Sequence, residues 1–98
     1  MQRIQQIRKA MPPEELLTGL AEEATEMAQA ALKCRRALTQ INPTPVTLPD
    51  AMTKLVEEIS DVLLYLDVLG VELVDVAGTI DSKLTRWAAR LEDQHHES

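Results

Sequence analysis

Two short acidic patterns stand out in this 98-residue chain: E-A-T-E at Glu23 and Glu26, and E-I-S-D at Glu58 and Asp61. In each, the acids are three residues apart, so on a helix they lie side by side on one surface. Four carboxylates brought together repel one another, and burying such charges without partners is very costly. Hard divalent cations resolve that conflict. Carboxylate oxygens and water are the ligands that Mg²⁺ and Mn²⁺ prefer, and Mg²⁺ commonly recruits a substrate phosphate as well. Such acid pairs also occur on ordinary solvated helix faces, so their placement on the helices decides their meaning.

The elements that must carry them are legible from apolar spacing. Residues 1–11 hold Ile4, Ile7 and several cations and predict a short amphipathic helix that ends at Met11-Pro12-Pro13. Pro13, Glu14 and Glu15 suit the first turn of a second helix, and apolar residues from Leu16 onward recur at helical intervals to about Gln40. INPTPVTLPD (41–50) reads as a loop between two helices of one domain. Asp50 is then the expected N-cap of a helix over 51–69 that stops at Gly70. Leu73, Ala77, Ile80, Leu84, Ala88 and Leu91 mark a last helix, and the polar residues 94–98 a frayed tail.

At about 100° per residue, with Leu20 at the centre of the apolar face, Glu23 falls near −60° and Glu26 near −120°. With Ile59 as the centre of the next helix, Glu58 falls near −100° and Asp61 near −160°. Each helix therefore carries one acid at the edge of its apolar face and a second beside it. If the two helices pack antiparallel, the four carboxylates converge.

Composition narrows the class. Aromatics are confined to Tyr65 and Trp87, and there are three glycines, so the core is aliphatic and the fold all-α: a single-domain helical bundle. A net charge of −6 argues against a nucleic-acid partner, which requires a basic patch. Cys34 is the sole cysteine and excludes an intrachain disulfide or a thiolate cluster. The N-terminal residues lack the apolar stretch of a secretory signal, and no apolar run has the length of a membrane span. A cytoplasmic protein without membrane contact is expected. VLLYL (62–66) makes its helix apolar around most of its circumference, so a homodimer or tetramer is expected to cover it.

GLAEEATEMAQAALK and KLVEEISDVLLYLDVLGVEL together resemble the MazG-like branch of the all-α nucleoside triphosphate pyrophosphohydrolases over about residues 12–90. That superfamily carries E-x-x-E on one helix and E-x-x-D on the next, in a bundle completed by oligomerisation. The resemblance implies Mg²⁺, with Mn²⁺ as substitute, held by Glu23, Glu26, Glu58 and Asp61. It implies cleavage of nucleoside triphosphates between the α and β phosphates, giving a monophosphate and pyrophosphate. Glu22 and Glu57 take the adjoining positions that act on water or support the ligands. Lys54 takes a position that reaches phosphate. On the last helix Lys83 and Arg90 match the ends of a K-x-x-x-N-x-x-R-like pattern, with Trp87 where Asn is usual and Arg86 an equal candidate for phosphate.

Within that reading, clustered carboxylates supply the metal site, one carboxylate serves as general base and cations hold the outer phosphates. No glycine-rich phosphate loop is present, which excludes a P-loop enzyme. Phosphoribosyl-ATP pyrophosphatase and dUTPase-like specificities are the enzymatic alternatives, and a non-catalytic helical oligomerisation module is the alternative from another class. Asp67 and Asp81 also fall in apolar arcs. Asp67 is expected to serve an interface or helix pairing rather than to contact a nucleotide of a neighbouring chain, and Trp87 to pack in the core or an interface rather than stack on a base. Cys34 is expected to be buried, and His95 and His96 to belong to the tail.

Overall fold

The computed structural model describes the backbone of residues 2–40 and 45–97, and side chains as far as 94. The chain is all-α: α1 (Arg3–Ala10), α2 (Pro13–Thr39), α3 (Leu48–Leu69) and α4 (Leu73–Glu97). Pro13 opens α2 with Glu14 and Glu15 in its first turn, and Gln40 closes it in the left-handed conformation at φ 56°. Of the expected loop over 41–50, residues 41–44 lie outside the described residues.

Asp50 is not the N-cap of α3. That helix begins three residues earlier, with Thr47 as its cap, and the Thr47 hydroxyl accepts from the Asp50 N–H at 3.3 Å. A proline in the first turn sacrifices no helical hydrogen bond, so Pro49 does not hold the helix back. Gly70 stops α3 as its sequence position predicts: it sits at φ 88°, donating to Asp67 O at 3.0 Å, while Val71 donates to Leu66 O at 2.9 Å. The Asp75 side chain then accepts from the Glu72 N–H at 2.9 Å and starts α4. The expected frayed tail over 94–98 is helical through Glu97.

The packed unit is the α2–α3 hairpin. Its core consists of small side chains: Ala30, Cys34 and Ala37 from α2, Ala51 and Val68 from α3, with Leu16 as the one large member. Cys34, Ala37 and Ala51 form a cluster on which Val46, Leu48 and Leu55 pack. Small residues let the helix axes approach closely. Gly19 leaves room for a large side chain of α3: a Cβ there would stand 2.6 Å from the Tyr65 Oη and overlap its ring. The hairpin is secured at one end by α1. Arg8 donates through Nε to Val68 O at 2.7 Å and through Nη2 to Asp67 O at 2.9 Å, capping the negative end of α3 with a cation.

α4 departs from this unit. Every described residue from 77 to 94 is exposed, including Ile80, Leu84, Trp87 and Leu91. The radius of gyration is 17.9 Å, against about 13 Å for a compact chain of this length. Accessible surface is 7902 Å², roughly 2,300 Å² above that of a compact monomer of equal mass. No helix among the described residues is long and apolar enough to cross a membrane.

Candidate metal centre

Glu23 and Glu58 occupy the middle of the helix–helix contact, not its edge, while Glu26 and Asp61 are exposed beside them. Leu16, Ala30, Cys34 and Ala37, the buried residues of α2, are centred on the direction of Glu23, which is half-buried. On α3, Glu58 is itself buried at 4% exposure, flanked by Ala51, while Ile59 is exposed with Met52, Val56 and Leu63. The expected face centres, Leu20 and Ile59, are thus displaced. Apolar residues on α3 serve two surfaces, one covered by α2 and one bare, and a single wheel averages them.

Oxygens of Glu23, Glu26 and Glu58 all lie within 4.8 Å of one another. Two of these carboxylates carry a buried oxygen without any hydrogen-bond partner, Glu23 Oε2 and Glu58 Oε2. An orphaned buried carboxylate oxygen is expensive; two of them within a cluster of three carboxylates make a set of hard oxygen donors of the kind a divalent cation takes. The residues therefore fit the ion that the sequence pattern implies. Asp61 is exposed and stands outside the set of three, but it meets Glu23 directly. Desolvation raises the Glu23 pKa above its ordinary 4.5, followed by repulsion from Glu26, Asp61 and Glu58 and a hydrogen bond with Asp61.

Lys54 supplies the nearest positive charge. Its Nζ lies 3.0 Å from Glu58 Oε1 and 3.5 Å from Glu57 Oε2. The hydrogen bond to Glu58, then the Glu58 and Glu57 charges, hold the Lys54 ammonium above its usual pKa. Glu57 is exposed at the rim and bound to Lys54; Glu22 is exposed beside Glu23 on the outer side of α2.

Lys83, Arg86 and Arg90 are exposed on α4 and are not brought to the acids within one chain. Asp67 is exposed at the α3–α4 corner, where its backbone carbonyl receives Arg8 and Gly70. Asp81 is likewise exposed, and Cys34 is buried as expected. Beside the acids runs a groove of about 530 Å³ between α2 and α3, to which Gln29, Lys33 and Arg36 contribute along with Glu26, Lys54 and Glu58. The motifs do not mark Lys33 and Arg36. Their signal was a K-C-R-R run with no acid one turn to either side.

No family model matches the chain, and no curated protein or solved structure matches it.

Proposed function

We propose that the protein is a Mg²⁺-dependent nucleotide pyrophosphohydrolase that cleaves nucleoside triphosphates between the α and β phosphates. The observation that carries this reading is the cluster of Glu23, Glu26 and Glu58 beside a cation-bearing groove, in which Glu23 Oε2 and Glu58 Oε2 are buried without a hydrogen-bond partner. The resemblance to MazG-like enzymes, carried by the acidic motifs, supports the same conclusion.

In this reading Glu23, Glu26 and Glu58 hold the divalent cation, with Asp61 joining through Glu23. The bound ion neutralises phosphate charge and lowers the pKa of water. Lys54 fixes the Glu58 carboxylate from one side, leaving its second oxygen for the ion. Glu57 and Glu22, exposed beside the ligands, orient attacking water or take its proton. Lys54 can turn from Glu57 toward phosphate without leaving Glu58.

The bare apolar stripes of α3 and α4 support assembly into a homodimer or tetramer. The surface in excess of a compact monomer is as large as a stable interface requires. A partner's α4 would then be the route by which Lys83, Arg86 and Arg90 reach phosphate.

The direct test follows pyrophosphate release from a panel of (d)NTPs with Mg²⁺. Turnover that disappears in Glu58→Gln supports the proposal; a wild-type rate no higher than that variant's refutes it. Phosphoribosyl-ATP and dUTP in the panel resolve specificity.

A further inference from the structure

Lys33 and Arg36 sit one turn apart on α2, and neither is in an ion pair among the described residues. Like charges at this spacing destabilise a helix, and Arg35 beside them adds to the repulsion. Both side chains nevertheless line the groove that contains Glu26 and Glu58. Lys54 closes the opposite wall from α3, and its charge is already matched by Glu57 and Glu58. The groove therefore has an acidic end and a cationic end that no acid among the described residues pairs with.

The direction of the side chains links the two ends. Lys33 lies two turns beyond Glu26, about 10 Å along the axis, and Arg36 about 15 Å. Helical side chains lean toward the N-terminus of their helix, here back toward Glu26. Ala30, a buried residue of the helix contact, lines the same groove.

We propose that Lys33 and Arg36, with Lys54 opposite, clamp the terminal phosphates of an oligophosphate whose inner phosphate lies at the carboxylate centre. The proposal rests on the hydrolase reading for the inner phosphate and adds a site on the same chain for the outer ones. Arg36 offers a planar fork to two phosphate oxygens, and Lys33 a point charge. Glu26 and Glu58 repel an anion that slides too far, which fixes its register along the groove. A nucleic-acid backbone is poorly served here. The groove is closed by acids at one end, and the chain as a whole carries −6.

Two titrations of the full-length protein separate this inference from the one beneath it. Mn²⁺ alone reads the carboxylate centre; inorganic tripolyphosphate in the presence of Mg²⁺ reads the groove. The wild type is expected to bind both, the tripolyphosphate with marked salt dependence. Lys33→Ala/Arg36→Ala is expected to weaken tripolyphosphate binding about tenfold or more, the loss of at least one charge-assisted hydrogen bond, with Mn²⁺ affinity unchanged. Circular dichroism checks the fold of that variant, and Lys33→Gln and Arg36→Gln singly serve if it is impaired. No tripolyphosphate binding by the wild type, or binding that these substitutions leave intact, overturns the clamp. Tripolyphosphate bound through Lys33 and Arg36 without any Mn²⁺ binding would overturn the metal reading and keep the clamp.

Discussion

Lys54 Nζ lies 3.0 Å from Oε1 of Glu58, one helical turn away, and leaves Oε2 of that buried carboxylate without a partner. One oxygen is thus committed within the protein and the other is buried with no hydrogen-bond partner among the described residues. Lys54→Met removes the only cation paired with Glu58 among the described residues. Its melting temperature in EDTA should fall below that of the wild type, and Mg²⁺ or Mn²⁺ should restore more of the loss than it adds to the wild type. Equal deficits with and without the ion would refute the idea that lysine and metal share one carboxylate.

Glu58→Gln keeps the shape of the side chain and removes its charge. Turnover of nucleoside triphosphates should drop at least about a hundredfold, the scale of losing an electrostatic element at the reacting group. Mn²⁺ affinity, read by titration calorimetry, should fall with it. A variant with full Mn²⁺ affinity would remove Glu58 from the ligand set.

Glu23 gives the apoprotein a pH signature. Desolvation and the neighbouring acids raise its pKa in the fold, so the folded state favours the protonated form. For an acid shifted upward, stability is greatest below the unfolded pKa and declines as pH rises through the folded one. Metal-free protein should therefore lose melting temperature as pH increases from about 4.5 toward neutrality. Divalent cation should flatten that slope, and Glu23→Gln should remove its main part. A metal-free melting temperature independent of pH across this window would contradict the assignment.

Gly19 of α2 stands directly against the Tyr65 ring of α3. Alanine at 19 gains helix propensity worth about 1 kcal/mol but must displace the ring, an overpacking cost of about 1–3 kcal/mol. Gly19→Ala should be destabilising in the wild-type background and stabilising in Tyr65→Ala. Denaturant unfolding of the four proteins in the cycle measures the coupling.

The exposed stripe of α4 yields a hydrodynamic test. Ile80→Lys with Leu84→Lys should convert a sedimenting oligomer into a monomer with α-helical signal retained. A wild type that sediments as a monomer at all accessible concentrations would refute the assembly.

Much of the fold could be read from local chemistry. Pro13 at a helix start, Gly70 at a helix stop and the aliphatic repeat between them each act within a few residues, so sequence suffices. The start of α3 was misplaced because Pro49 looks like an interruption until Thr47 is recognised as a cap with its partner N–H three residues on. Spacing marks all four acids and places Glu26 and Asp61 outward, where they lie, but Glu58 is deeper than its helix position suggests. Glu58 sits at the centre of the contact because Ile59, the apparent centre, belongs to a second apolar surface that no helix of this chain covers. No count of apolar residues separates two such surfaces. Lys33 and Arg36 escaped notice for a different reason: their relation to Lys54 runs across the hairpin, and only its packing brings the three to one groove.

The contact that Arg8 makes with the last carbonyls of α3 joins residues 60 positions apart. α1 is joined to α2 by two residues and is held to α3 by the two Arg8 hydrogen bonds and a small apolar patch. α1 therefore opens at a lower free energy than the α2–α3 hairpin. Beneath it lies an apolar pocket of about 180 Å³ lined by Ile7, Met11, Leu16, Leu64, Tyr65 and Val68. Each local opening of the first helix uncovers that pocket while Glu23 and Glu58 stay in place. Amide exchange in 3–10 should accordingly run fast against a slow background in 16–37 and 51–68, which makes the N-terminal turn a timer for access to the bundle's interior.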